Sequence, residues 1–179
     1  MKEMVGDWGC GQVRVEMEKK DVEQCCWLWV YPIREGGRSL EFIYTSNKFK
    51  TRGGLTAGTS TTHHYTNEEF KIKQQKTKTF TCSPDEVIYG GNYKQSTYCH
   101  LLLGLFFFDQ VEFITSAFVF SMMQAFRSFE EPWREICCEI RDGTLSSRIE
   151  SFKMRKAVLD IISPNSCLAS KLEAICHDS

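Results

Sequence analysis

The sequence lacks any long apolar run. Its most apolar stretch, residues 101–108, ends after eight residues at Asp109, whereas a helix needs about 20 apolar residues to cross a bilayer. The N-terminus reads Met-Lys-Glu-Met-Val-Gly-Asp and has no apolar segment of signal-peptide length near it. These absences predict that the protein has no membrane partner and that its location is cytoplasmic.

An excess of one charge is also missing, because 22 basic side chains nearly cancel 23 acidic ones. No overall field therefore points to nucleic acid or to a membrane surface. The one small basic face lies on a predicted polar helix over residues 68–78, capped by Asn67, and has only Phe70 as an interleaved aromatic residue. Its lysines are Lys71, Lys73, Lys76 and Lys78. A solvated helix face is favoured over nucleic-acid binding, and no nucleic-acid partner is predicted.

Cysteine spacing of the kind that builds a zinc site or a disulfide framework is absent. The nine cysteines are odd in number, and no Cys-x-x-Cys occurs. A zinc site would need scattered residues such as Cys82, Cys99 and His100, and buried thiols are favoured over it. The neighbours His63 and His64 have no acidic residue or cysteine close by in sequence. The sequence therefore predicts reduced thiols and no metal site.

Residues 93–140 hold most of the apolar mass and predict helix, strand, helix. Asn92 and Gln95 offer a reciprocal cap for a buried helix, and residues 111–115 alternate as a short strand does. Apolar positions from Phe118 to Ile140 step by four and three, which predicts one long helix. This alternation predicts an α/β fold in which a mixed β-sheet is flanked by helices.

The preceding segment predicts short strands and a hydroxyl-rich loop. Residues 39–45 and 49–51 have strand character, and residues 55–64 form a loop rich in glycine, serine and threonine. Such a loop can cradle phosphate, but a P-loop needs Gly-Lys-Ser/Thr, and no lysine follows Gly58 until Lys71. A plain hydroxyl-rich turn is favoured. Further on, residues 83–86 read as a capping box with Pro84 at the first helical position.

Several co-linear motifs carry a family resemblance. They are Gly-Arg-Ser-Leu-Glu-Phe-Ile-Tyr at 37–44, Gly-Gly-Leu-Thr-Ala-Gly-Thr at 53–59, Thr-Cys-Ser-Pro-Asp-Glu-Val-Ile at 81–88, Trp-Arg-Glu-Ile-Cys at 133–137 and Gly-Thr-Leu-Ser-Ser-Arg at 143–148. In this order they closely resemble the auxin-responsive Gretchen Hagen family of acyl acid–amido synthetases, which belongs to the adenylate-forming superfamily. Within that family, the sequence of these motifs most resembles the jasmonoyl–amino acid synthetase branch.

The resemblance implies ATP and magnesium as cofactors, and a small-molecule carboxylic acid and an amino acid as substrates. Family members form an acyl-adenylate that the amino group then attacks, so the mechanism depends on positioning and charge stabilisation and no catalytic residue is assigned here. By resemblance, the substrate-binding residues are Thr61, Thr62, His63, Thr115 and Ala117. Two interpretations of the threonines stay open, since their hydroxyls can hold a substrate or merely bond the loop backbone.

The same resemblance implies a partial protein. Residues 31–177 are predicted to be an internal fragment of the large N-terminal adenylate-forming domain, and residues 1–30 are predicted to lie outside the family domain. The family's phosphate loop, Ser-Ser-Gly-Thr followed by lysine, is expected upstream of residue 31, and its later adenylate-binding motifs beyond Ser179, so ATP-binding motifs are absent from this chain. Two hypotheses follow: a fragment of an acid–amino acid ligase, and a non-catalytic, poorly soluble remnant. Pro132, where the family has an aliphatic residue, is expected to kink the long helix.

Overall fold

A computed structural model describes residues 34–177. The chain divides into two compact units, residues 1–37 and residues 38–179. Of the first unit, only a turn is described, in which the Gly37 amide donates to the Arg34 carbonyl at 2.8 Å and Gly36 has φ +78°. The predicted boundary at residue 30 lies outside the described residues and stays a prediction.

The second unit is built around a parallel pair of strands, β1 (Arg38–Phe42) and β4 (Val111–Ser116). Their register places Leu40 opposite Ile114 and Glu41 opposite Thr115. A separate antiparallel pair joins β2 (Phe49–Lys50) and β3 (Thr56–Ala57). Parallel and antiparallel pairs flanked by helices confirm the predicted mixed α/β class. The strands predicted over residues 39–45 and 49–51 exist, but both end earlier than predicted.

The helix α4 (Tyr93–Phe106) is buried as predicted, and it packs beside β1. Asn92 caps it, because its Oδ1 accepts from the Gln95 amide at 3.2 Å. The reciprocal half of the predicted cap is wrong: the Gln95 Oε1 accepts from the amides of Glu150 and Ser151 instead. A tertiary partner has therefore replaced the local one.

The prediction of one long helix from residue 118 to residue 140 is wrong. Two helices occupy the segment, α5 (Val119–Phe129) and α6 (Trp133–Asp142). Pro132 lies immediately before α6. Its ring and its missing N–H end the series of backbone hydrogen bonds of α5. Its carbonyl begins the series of α6 by accepting from the Ile136 amide at 2.9 Å. The expected kink is thus a complete break.

The hydroxyl-rich segment is only partly a loop. Residues 60–65 form a short helix, α1 (Ser60–Tyr65), capped by the Thr59 hydroxyl. This differs from the prediction because the Thr-Ser-Thr-Thr stretch supplies a cap as readily as a turn. The polar helix α2 (Glu68–Thr77) follows, with Asn67 accepting from the Phe70 amide at 2.7 Å as predicted.

The predicted capping box at residues 83–86 is also wrong in its details. Helix α3 (Asp85–Ile88) begins after Pro84, which occupies the cap position and makes no side-chain cap bond. The Ser83 hydroxyl is instead bonded to a ring nitrogen of His100 at 2.7 Å. A buried tertiary contact therefore uses the hydroxyl that the local pattern assigned to the helix.

The C-terminal part holds α7 (Phe152–Leu159) and α8 (Ser166–His177). Gly143 ends α6 with φ +65°, and a Cβ there would lie 2.6 Å from Pro164. The α6 and α8 helices are joined by an ion pair between Arg141 and Glu173 at 2.5 Å. One apolar core runs through β1, α4, α6 and α7. In residues 34–177, no helix has the length and apolar character needed to cross a membrane.

Candidate substrate site

The residues predicted to bind substrates lie in two groups near the carboxyl ends of β1 and β4. Thr61, Thr62 and His63 belong to α1. The Ser46 amide, in the segment that follows β1, donates to the Thr62 hydroxyl and so connects that segment to α1. Thr115 and Ala117 lie at the end of β4. Because parallel strands present their carboxyl ends at one edge, both groups are placed toward the edge where α/β proteins commonly bind ligands.

The first group contains a cluster of four hydroxyls, contributed by Ser46, Thr59, Thr61 and Thr62. The Thr62 oxygen lies 2.9 Å from the Ser46 hydroxyl and 2.8 Å from the Thr59 hydroxyl. The Thr59 oxygen lies 3.1 Å from Thr61 and 3.3 Å from Ser46. The Ser46 amide also donates to the Thr62 oxygen at 2.8 Å. The cluster thus ties the exit of β1 to the first turn of α1.

The cluster can satisfy its own hydrogen bonds. Each hydroxyl lies within hydrogen-bond distance of at least one other, although the Thr59 oxygen, which also accepts from the Thr62 amide at 3.2 Å, has more neighbours than its one proton and two lone pairs can serve at once. Thr62 is buried at 1% exposure and Thr61 is half-buried, whereas Ser46 and Thr59 are exposed. Thr62 therefore holds the local backbone, while the hydroxyls of Ser46 and Thr59 can be reached from solvent.

Two cationic or titratable side chains border this cluster. His63 is exposed, and a Cβ added at Gly58 would lie 3.7 Å from its Nε2 atom and 3.3 Å from Cγ of Lys48. The Lys48 ammonium donates to the Thr66 hydroxyl at 2.8 Å. Glycine at position 58 lets these two side chains approach the backbone.

The second group is less enclosed. Thr115 is half-buried opposite Glu41, Ala117 is exposed, and the Ser116 hydroxyl between them donates to the Phe42 carbonyl at 3.3 Å. Burial raises the pKa of Glu41, although the Ser39 hydroxyl lowers it in part. Within residues 34–177, no hydrogen bond joins Thr115 or Ala117 to α1. The two groups therefore follow the carboxyl ends of β1 and β4 without a hydrogen bond between them in the described residues.

His100 is buried next to this edge and hydrogen-bonds the segments that form it, a role that the sequence analysis missed. It is completely buried, and its Nε2 atom lies 3.1 Å from the carbonyl oxygen of Ile43, just after β1. Its Nδ1 atom lies 2.7 Å from the Ser83 hydroxyl. The rings of Phe42 and Tyr44 pack edge-on against it at 5.8 and 5.4 Å. The only sequence signal was a histidine inside an apolar helix.

The hydrogen bonds also fix the tautomer of His100. A carbonyl can only accept, so Nε2 carries the proton, and Nδ1 accepts from the Ser83 hydroxyl. Burial lowers the pKa of His100 to about 4 against the smaller, opposing effect of the Ile43 carbonyl. The ring is therefore neutral at physiological pH and joins α4, the Ser83 turn and the exit of β1.

The described residues do not fit a nucleotide–metal site. The four clustered hydroxyls bond one another, and the nearby Lys48 ammonium is bonded to Thr66. Across residues 34–177, no group of three or more His, Cys, Asp and Glu side chains is placed to hold a metal ion. Cys82 and Cys99 are buried free thiols, as favoured above, and both His100 nitrogens are occupied by hydrogen bonds.

The GH3 family N-terminal domain matches residues 17–179. The chain therefore belongs to the GH3 family of acyl acid amido synthetases, which confirms the predicted resemblance. The match begins inside the segment that was predicted to lie outside the family domain.

Among individual relatives, the chain is 65% identical over 146 residues to the indole-3-acetic acid-amido synthetase GH3.10 of Arabidopsis thaliana, covering 82% of this chain and 25% of that protein. It is 48% identical over 136 residues to the jasmonoyl-L-amino acid synthetase JAR4 of Nicotiana attenuata, covering 76% and 24%. The solved GH3.15 acyl acid amido synthetase superposes with a TM-score of 0.69 at 28% identity, covering 89% and 29%. The chain thus spans about a quarter of the length of the curated relatives it matches.

Proposed function

We propose that the chain is part of an ATP-dependent acid–amino acid ligase that conjugates a plant hormone carboxylate to an amino acid through an acyl-adenylate. The observation that carries the proposal is membership of the GH3 family over residues 17–179. The substrates would be a small carboxylic acid, of jasmonate type or indole-3-acetate, and an amino acid. Relatives named for both acids match this chain, which supports the class of substrate.

In this proposal Thr61, Thr62 and His63 line the amino-acid pocket, and Thr115 and Ala117 lie where the acyl and amino-acid sites meet. Thr61 offers accessible lone pairs to an ammonium group, while Thr62 keeps α1 in place through its buried bonds. The small side chain of Ala117 leaves room for a ring beside it. These residues bind and orient, and none of them acts as a nucleophile.

ATP and magnesium would be held by family segments other than the described residues, because these residues form no phosphate-binding arrangement. When bound, ATP would activate the carboxylate as an adenylate. The contribution of this chain to that reaction is limited to holding and orienting substrates.

The second candidate function is a non-catalytic remnant that at most binds another protein. Two observations favour it: the described residues do not fit a nucleotide–metal site, and large apolar side chains on α5 are exposed. Under this alternative the hydroxyl cluster has a purely structural role. The remnant would be unstable or poorly soluble by itself.

ATP–pyrophosphate exchange separates the two candidates when the 146 matched residues of this chain replace their counterparts in the full-length Arabidopsis thaliana relative, because ATP would be held by segments other than the described residues. Exchange should be measured with jasmonic acid and with indole-3-acetic acid, using the full-length relative from Arabidopsis thaliana as the positive control. Exchange above the blank supports the ligase and excludes the remnant. No exchange, while the positive control turns over, supports the remnant.

A matched pair of variants then tests the proposed pocket in any sample that shows exchange. Thr61→Val removes a half-buried hydroxyl of the cluster, while Thr56→Val removes an exposed hydroxyl that accepts from Lys50 and lies outside the cluster. We expect Thr61→Val to raise the KM for the amino acid in conjugate formation severalfold, with Thr56→Val unchanged. Equal effects of the two variants would contradict the assigned role of Thr61.

A further inference from the structure

A cavity of about 590 Å³ lies between α4, the corner that joins α5 to α6, and the segment that precedes α7. We call it the α4–α6 cavity. Its floor consists of buried side chains that present mostly carbon surface, namely Thr97, Tyr98, Leu101, Pro132 and Ile149. None of the five residues predicted to bind substrates lines it. A cavity of this size with an apolar floor is typical of a small-molecule site.

Side-chain contacts hold the walls of the cavity together. The Gln95 Oε1 atom accepts from the amides of residues 150 and 151 at 3.1 and 3.3 Å, which fixes that segment against α4. The Arg148 guanidinium lies over the Tyr98 ring, 5.1 Å from its centroid, and forms an ion pair with Glu135 of α6. The three walls are therefore connected before any ligand binds, as in most binding sites for small molecules.

The rim of the cavity carries charge of both signs. Two cations, Lys94 and Arg148, and two carboxylates, Glu131 and Glu150, line it, and all four residues are exposed. Within residues 34–177, the side chains of Lys94, Glu131 and Glu150 have no ion-pair partner. Lys94 also lies in the first turn of the 14-residue helix α4, where the helix dipole favours a carboxylate.

An apolar floor below a rim of mixed charge defines the class of ligand. An ion of one sign would meet a like charge at the rim, and an uncharged apolar molecule would leave the charged groups without partners. A free amino acid with a large apolar side chain satisfies all three parts of the cavity. Its carboxylate can pair with Lys94 and Arg148, its ammonium group with Glu131 and Glu150, and its side chain can cover the floor.

We propose that the α4–α6 cavity binds a free amino acid with a large apolar side chain, as a zwitterion. The site shares no residue with the proposed substrate pocket on α1 and at the end of β4. The proposal rests on the floor and rim of this cavity and does not depend on the proposed ligase activity.

A ligand series tests the proposal by isothermal titration calorimetry on the full 179-residue chain. The probe is L-phenylalanine, and we expect it to bind with one-to-one stoichiometry. Three comparators each lack one of its parts: 3-phenylpropionate has no ammonium group, phenethylamine has no carboxylate and glycine has no apolar side chain. Each comparator should bind at least about tenfold more weakly than L-phenylalanine does.

Matched variants locate the binding site. Glu131→Gln and Lys94→Gln should each weaken binding of L-phenylalanine by about two- to fivefold, because each removes one exposed charge from the rim. Glu130→Gln is the control, since Glu130 is the exposed neighbour of Glu131 and does not line the cavity. Ser128→Trp should abolish binding, because it puts a large ring at an exposed position of the cavity wall. Circular dichroism shows whether each variant keeps its fold.

Four results would overturn the proposal. The folded chain could fail to bind L-phenylalanine, or a comparator that carries charge of only one sign could bind as tightly. Glu130→Gln could weaken binding as much as Glu131→Gln does. Finally, Thr61→Val could abolish binding while Ser128→Trp leaves it unchanged, which would assign the amino acid to the pocket on α1 and support the proposed function instead. None of these readouts depends on ATP–pyrophosphate exchange, so failure of the ligase proposal is distinguishable from failure of this one.

Discussion

His100 and Glu139 are two buried titratable residues whose surroundings differ in one respect. Both ring nitrogens of His100 have hydrogen-bond partners, Ser83 and the carbonyl of Ile43. Among residues 34–177, only one carboxyl oxygen of Glu139 has a partner: Oε1 accepts from the Ser146 amide, while Oε2 is buried without one. A buried polar atom without a partner carries a desolvation cost that a paired one avoids, so we expect His100 to contribute more to stability than Glu139 does.

The unpaired oxygen of Glu139 has a neighbour that is also unpaired. The Tyr98 hydroxyl is buried and has no partner in the described part of the chain, and Tyr98 and Glu139 each influence the pKa of the other. Their geometry nevertheless falls short of a hydrogen bond. Burial raises the pKa of Glu139 to about 7, which exceeds the opposing effects of Tyr98 and Ser146. Folding therefore favours the protonated carboxyl at this position.

The largest expected effect comes from breaking the fully paired residue. His100→Ala leaves the Ile43 carbonyl and the Ser83 hydroxyl unpaired and opens a cavity beside Phe42. We expect a loss of about 3–4 kcal/mol in the free energy of unfolding, measured by urea denaturation.

The control for that measurement is His63→Ala, which removes an exposed side chain and should change stability by less than about 0.5 kcal/mol. Similar losses in both variants would contradict the anchoring role of His100.

A middle-sized effect should appear in the pH dependence of unfolding. Folding lowers the pKa of His100 from 6.5 to about 4, so the unfolded chain takes up a proton at higher pH than the folded protein does. The free energy of unfolding is therefore expected to fall by about 3 kcal/mol as pH falls from 6.5 to 4. Glu139 has its pKa raised from 4.5 to about 7, so its contribution has the opposite sign and stability is lost as pH rises through that range. In the unmodified protein the two effects partly cancel between pH 4.5 and 6.5.

Glu139→Gln separates the two effects, because a neutral amide keeps an oxygen for the Ser146 amide and adds N–H donors. We expect the variant to be about 1 kcal/mol more stable at pH 8 and steeper in its loss of stability below pH 6.5. Chemical denaturation at pH 5, 6.5 and 8 measures this. A pH profile unchanged from that of the unmodified chain would show that Glu139 does not titrate as inferred.

The smallest effect is expected from Tyr98→Phe. The substitution removes a hydroxyl that has no partner, so stability should stay the same or rise by up to about 1 kcal/mol in urea denaturation. Ser83→Ala is the matched comparison, because it removes a paired buried hydroxyl and should cost about 1–2 kcal/mol. A loss from Tyr98→Phe as large as that from Ser83→Ala would mean that the Tyr98 hydroxyl is bonded after all.

Local patterns predicted the elements whose signals lie within a few residues. The caps at Asn67 and Asn92 formed as predicted, because an asparagine two or three residues before an amide needs no distant partner. The alternation at residues 111–115 predicted β4, and the helical spacing of apolar residues predicted α4, because both signals are local. The family resemblance likewise depended only on co-linear motifs.

Predictions failed where a distant residue competed for the same group. The Gln95 side chain accepts from the amides of residues 150 and 151 instead of completing the cap of α4. The Ser83 hydroxyl is bonded to His100 instead of capping α3. Apolar periodicity did run from residue 118 to residue 140, but proline removed one N–H, and the ladder ended there. The helical first turn after Thr59 was missed because threonines serve caps and turns equally well.

In the candidate site, too, some features follow from the sequence and others depend on the tertiary structure. The sequence by itself determined the fold class, the family and the hydroxyl-rich segment, because these reside in residue order and local spacing. Only the tertiary structure decided that Ser46 would join Thr59 and Thr62, and that His100 would fix the exit of β1. Hydrogen bonds across many residues depend on how β1, α1 and α4 pack together, and no local pattern encodes that packing.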